Sequence, residues 1–131
     1  SRGLGDVYKR QASETGKLAF GVDSDQAALL PDYADSIPTS ALKNVGDALY
    51  RAIKLDMEGQ LAYGTMESLG FADNGVGLVE DAHYEEMVPE EVRTYVADLQ
   101  QKITDGEITV YTAGDMTTDE IEELKASVAV Q

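Results

Sequence analysis

The sequence predicts an α/β fold, a mostly parallel sheet flanked by helices. Three observations predict it. Apolar runs of strand length alternate with longer segments of helical periodicity. The resulting order of strand, helix, strand, short strand, helix, strand, helix needs crossover connections, which favour parallel pairing. The first run also meets a cluster of polar residues at its carboxyl end, where open α/β sheets bind ligands. At 131 residues there is room for one domain and too little for two.

Lys17–Val22 (KLAFGV) is the first predicted strand and runs into VDSDQ. Ala27–Pro38 holds two prolines and three acids or serines among apolar residues, and reads as a loop with room for one helical turn. Thr39–Glu58 reads as the strongest helix. Leu42, Val45, Leu49, Ala52 and Ile53 form one stripe, Thr39 or Ser40 can cap the first amides, and Gly59 suits a left-handed C-terminal cap. Gln60–Thr65 (QLAYGT) is a second strand, Glu67–Asn74 is rich in turn residues, and Gly75–Val79 (GVGLV) is a short third strand.

Val88–Asp105 is the next helix, with Pro89 in its first turn, Glu90 and Glu91 at the positive end of the dipole, and Val92, Tyr95, Val96, Leu99 and Ile103 on its apolar face. Gly106 ends it, and Glu107–Tyr111 (EITVY) reads as a strand. Thr117–Glu120 (TTDE) is a capping-box pattern opening a last helix, with Ile121, Leu124 and Val128 on one side.

Composition narrows the function classes. Ten basic residues stand against 25 acidic ones, a formal net charge of −15. Such a surface repels phosphate backbones and anionic membranes, so nucleic acid is not an expected partner. Cysteine is absent, which excludes disulfides, thiolate metal sites and cysteine nucleophiles. No apolar run approaches the roughly 18 residues of a membrane-spanning helix.

Two residues stand out as candidate binding groups. Asp23, directly after a buried strand, can accept two hydrogen bonds from vicinal hydroxyls, as sugars and riboses present them. Asp23 or Asp25 can equally cap the turn that follows. Lys43, read into the first turn of a helix, opposes the dipole by about 0.3–1 kcal/mol, so a carboxylate or a ligand acceptor should offset it. Asp23 and Asp25 can supply the carboxylate; a solvated lysine can also simply tolerate the cost. Asn74-Gly75-Val76-Gly77 matches neither the dinucleotide nor the phosphate-loop pattern, and reads as a turn entering a strand. His83, among Glu80, Asp81, Glu85 and Glu86, reads as a solvated surface ring, and Glu80–Glu91 as a charged loop and helix start. No metal site and no cofactor are expected.

The strings GVDSDQ, PTSALKNVGDALYRAI, ADNGVGLVEDA, VPEEV and DGEITVY together resemble the basic-membrane-protein family of solute-binding lipoproteins, the purine nucleoside receptors that feed ABC importers. The resemblance covers most of Gly21–Tyr111 and places the chain in the C-terminal portion of a two-lobed type I periplasmic binding fold. It implies that Asp23 holds ribose hydroxyls and that Lys43 reaches the ligand from the opposing helix start, with Asp25 and Gln26 in the same binding motif. It implies no catalysis, a nucleoside as ligand, an ABC permease as partner, and an exported protein, either periplasmic or tied to the membrane by an N-terminal lipid.

The opening SRGLGDVYKRQ is similar to the translation of the transposase adapter used to tag sequencing libraries. On that resemblance Ser1–Gln11 is expected to be a disordered artefact, and 12–131 a partial binding-protein domain truncated at its N-terminus. Setting aside Arg2, Lys9, Arg10 and Asp6 leaves 7 basic and 24 acidic residues, a net of −17. Other functions stay open on the residues alone. A sugar presents the same diol, and a sensory protein can share the fold. Asp23 and Asp25 have the spacing of a haloacid-dehalogenase phosphatase, although Ala27 departs from that motif.

Overall fold

In a computed structural model, residues 4–111, 114 and 116–128 are described. Helix α1 (Leu4–Glu14) leads to strand β1 (Gly21–Asp23), helix α2 (Gln26–Leu29) and a 3-10 turn over Pro31–Ser36. Strand β2 (Ser40–Lys43), helix α3 (Val45–Met57) and strand β3 (Val76–Leu78) follow, then helices α4 (Ala82–Met87), α5 (Glu90–Thr104) and α6 (Thr118–Val128). The α/β class holds, and the sheet is small and mixed. Central β2 pairs in parallel with β1, Gly21 opposite Ser40 and Asp23 opposite Leu42. On its other side it pairs antiparallel with β3, Lys43 opposite Val76.

Several expectations need correction. The helix read over Thr39–Glu58 begins only at Val45, because residues 40–43 are the central strand. Thr39 and Ser40 cap nothing there: Thr39 Oγ1 donates to the Val79 carbonyl at 2.7 Å, and Ser40 Oγ accepts from the Gln26 amide at 3.0 Å. Lys43 is therefore the last residue of a strand rather than part of a helical first turn. The segments read as strands over Gln60–Thr65 and Glu107–Tyr111 pair with no strand among the described residues. Helix α4 falls in the stretch read as a charged loop, opened by Asp81, whose Oδ1 accepts from the Tyr84 amide at 3.0 Å. His83 on it is part-buried, its Nε2 lying 3.1 Å from the Ala34 carbonyl and 3.2 Å from that of Ile37. A carbonyl only accepts, so Nε2 carries the proton.

The expected disorder of the first eleven residues is also corrected where they are described. Leu4–Glu14 is helical and packs on the 3-10 turn, and Lys9 is buried, its Nζ donating to Gln26 Oε1 at 2.6 Å. Ser1, Arg2 and Gly3 lie outside the described residues.

Other features form as their sequence dictates. Gly59 and Gly106 close α3 and α5 at φ +68° and +77°. Thr117 and Glu120 build the capping box reciprocally: Glu120 Oε2 accepts from the Thr117 amide at 2.7 Å, and Thr117 Oγ1 accepts from the Glu120 amide at 3.3 Å.

The buried core is slight. Among the described residues only Ala12, Ile37 and Tyr84 are buried hydrophobics. The chain exposes 10080 Å², whereas a compact monomer of this mass exposes about 6,700 Å². Helix α3 accounts for part of the excess, with Leu49 60% and Ile53 53% exposed on the stripe that its sequence marks as apolar.

Candidate functional site

Parallel pairing of β1 and β2 brings their carboxyl ends side by side, and the candidate site lies there. The register puts Lys43 one residue beyond Leu42, the partner of Asp23. Asp23 leaves its strand at φ +71°, a conformation that residues with a Cβ adopt at a cost. Lys43 Nζ lies 2.9 Å from Asp23 Oδ1, and both side chains are 63% exposed. An ion pair this open stabilises a fold by less than about 1 kcal/mol, so stability does not explain the strained turn that presents it.

The pair borders an open hollow of about 530 Å³, lined by Asp23, Ser24, Lys43, Asn44 and the first turn of α3 from Val45 to Asp47. Two carboxylates and one ammonium give it a negative balance. Phosphates are repelled, while hydroxyls, which donate to carboxylates, are suited to it.

Of the four residues predicted to bind ligand, the structure brings together Asp23 and Lys43 and gives the other two different work. Asp25 caps α2, its Oδ1 accepting from the Ala28 amide at 3.1 Å. Gln26 Nε2 donates to the Val22 carbonyl at 3.2 Å, while its Oε1 accepts from Lys9. Neither lines the hollow.

Sequence reasoning gave no site role to three residues of this end. Asn44 Nδ2 donates to the Asn74 carbonyl oxygen at 2.9 Å, and the Asn44 amide donates to the Gly75 carbonyl at 3.0 Å. Asn74, at φ +56°, donates through Nδ2 to Asp47 Oδ2 at 2.5 Å. The signal available was the Asn-Gly pair at 74–75, which marks a turn without saying what the turn touches.

The arrangement fits what this chain is similar to. Residues 5–113 match the family described as ABC transporter substrate-binding protein, PnrA-like. Basic membrane protein B of Borreliella afzelii (strain PKo) is 31% identical over 110 residues, 82% of this chain and 29% of the relative. Among solved structures, solute-binding proteins of an ABC transporter system from Aeropyrum pernix K1 align with a TM-score of 0.60 and 30% identity, over 89% of this chain and 40% of the other. A transcriptional activator of the comK gene from Bacillus halodurans aligns with a TM-score of 0.65 and 27% identity, over 79% and 34%. The chain thus spans between 29% and 40% of the length of these relatives. A sheet that sets an acid and a base at adjacent strand ends, and a match running through both, lead to one conclusion: the chain belongs to the PnrA-like family of ABC transporter substrate-binding proteins.

Proposed function

We propose that this chain forms part of one lobe of an importer's binding protein, and that the lobe holds a nucleoside, a purine nucleoside foremost, in the cleft it shares with a second lobe. Asp23 accepts hydrogen bonds from the two ribose hydroxyls, and Lys43 donates to an acceptor on the same ligand. The observation that carries this reading is the Asp23–Lys43 pair, 2.9 Å apart at the mouth of an open hollow. Ligand hydroxyls can replace the ammonium on Asp23 with little lost, because the exposed pair is weak to begin with. The negative balance of the hollow favours a free nucleoside over a phosphorylated one. Asp25 and Gln26 shape the turn after β1 and do not touch ligand.

On this reading the whole protein is exported, anchored by lipid or held in the periplasm, and delivers its ligand to an ABC permease. Residues 12–131 are the natural part of the chain and Ser1–Gln11 an adapter-encoded extension. No catalytic step is required of any residue. A sensory role is the second reading, supported by the likeness to the transcriptional activator of the comK gene from Bacillus halodurans.

Inosine and 2′-deoxyinosine, titrated into the isotopically labelled chain, test the ligand contact. With one lobe supplying the contacts, affinity is expected no tighter than about millimolar. Inosine should move the amide signals of Asp23, Ser24 and Lys43, and the deoxy form should move them at least several-fold less. Equal responses to both, or an undiminished response in Asp23→Asn, would overturn the assignment. A micromolar constant would instead show that this lobe needs no partner.

A further inference from the structure

Asn74 binds no ligand group in the reading above, yet it sits where three segments meet behind the hollow. Three features meet there. Asn44 is a favoured helix-capping residue and precedes α3, but its side chain makes no capping bond and reaches to Asn74 instead. Asn74 itself occupies the left-handed region at φ +56°. Its carboxamide spends a donor on Asp47, which already stands in the first turn of α3, where the helix dipole favours a carboxylate. Asn44 gives up its cap for this contact, and Asn74 links it to Asp47, so the three residues act as one unit.

The composition of the hollow supplies one. Asp23 and Asp47 are its two carboxylates, and Lys43 is its single cation. Both carboxylates can compete for that ammonium. In an exposed setting the difference between the two pairings is small, so the geometry of the rival acid decides which forms. Asn74 Nδ2 lies 2.5 Å from Asp47 Oδ2, and this bond turns the rival away. The Asn44 amide on the Gly75 carbonyl, at 3.0 Å, fixes the loop that carries Asn74 to the end of β2.

We infer that Asn74 is a positioning residue, which engages Asp47 and so reserves the Lys43 ammonium for Asp23. Its importance to nucleoside binding rests on the function proposed above, but the contact itself can be tested without ligand. Side-chain nuclear Overhauser effects between the Lys43 ε-methylene and the Asp23 β-methylene report the pair. Asn74→Gly keeps the left-handed backbone and deletes the carboxamide. That signal should fall at least about threefold in Asn74→Gly, which corresponds to about 0.65 kcal/mol at 25 °C.

Asn74→Gly/Asp47→Asn removes the rival charge as well and should restore the signal, a rescue that a merely structural asparagine would not show. An unchanged signal in Asn74→Gly, or no recovery in the double variant, overturns the proposal. Should the glycine variant fail to fold, the wild type still decides. Asn74 carboxamide protons should show contacts to the Asp47 β-methylene and slowed exchange with water, and free, fast-exchanging protons would overturn the proposal. If these contacts behave as expected while wild type responds to no ribonucleoside, the positioning role stands and the nucleoside reading falls.

Discussion

The sheet end of the molecule and its helical flanks are held by different means. At the sheet end, strands of three and four residues are fixed by polar bonds between segments far apart in sequence: Thr39 to Val79, Gln26 to Ser40, Asn44 to Asn74. Along the flanks several polar contacts are local, although Arg51 on α3 reaches Glu67 and Gln100 on α5 reaches Glu80. Lys102 pairs with Asp98 and Lys125 with Glu122, one turn apart, while Tyr95 and Leu49 leave more than half of their surface to water. Bonds of the first kind set the position of a side chain. Those of the second keep a helix a helix wherever it lies. The candidate site is therefore defined by geometry that needs little core.

The largest expected effect breaks the sheet end. A Cβ on Gly21 would lie 2.0 Å from Ser40 Oγ and 2.7 Å from Gln26 Cβ. Gly21→Ala is expected to cost about 1–3 kcal/mol in urea unfolding as β1 is pushed off β2. A change under about 0.5 kcal/mol would show that the two strands are not held as tightly as described.

Tyr84 sharpens the comparison from the other side. It is a buried member of the slight core, and its hydroxyl has no hydrogen-bond partner among the described residues; burial also pushes its ionisation above the usual tyrosine range. Tyr84→Phe is expected to stabilise by about 1 kcal/mol in the same assay. A loss of that size would mean the hydroxyl is paired after all.

The smallest effect lies at the far flank. The Thr117 amide, then the Thr117 hydroxyl, hold the Glu120 carboxyl below its ordinary range. A group with a depressed folded pKa contributes stability above its unfolded value and loses it as pH falls through the folded one. Helical circular dichroism should therefore decline slightly from about pH 5 to about pH 3. Glu120→Gln, which keeps a capping acceptor but cannot titrate, should flatten that part of the curve. An identical slope in both proteins would remove the capping box from the account.

How legible each part was in the sequence follows the same division. Locally encoded features were readable: Thr117 with Glu120, Pro89 before two glutamates, Gly59 and Gly106 after their helices. Strand β2 was hidden because Leu42 completes a helical stripe with Val45 and Leu49, and a strand of four residues is too short to assert its own period. Glu107–Tyr111 has strand-forming residues but pairs with nothing described, and pairing rather than propensity makes a strand. His83 looked solvated among its acidic neighbours, and only the fold carries it to the Ala34 and Ile37 carbonyls. Asp23 and Lys43 could be singled out, since strand ends and unmatched charges have known uses. Asn74 could not, because its partner Asp47 stands 27 positions away in sequence.

The left-handed backbone at Asp23 sets a limit on how this protein can be improved. Glycine would relax that turn, so selection for heat resistance alone would reward losing the side chain. On the binding role proposed for Asp23, the need for the carboxylate opposes this drift, and durability and ligand chemistry then ask for different amino acids at this position.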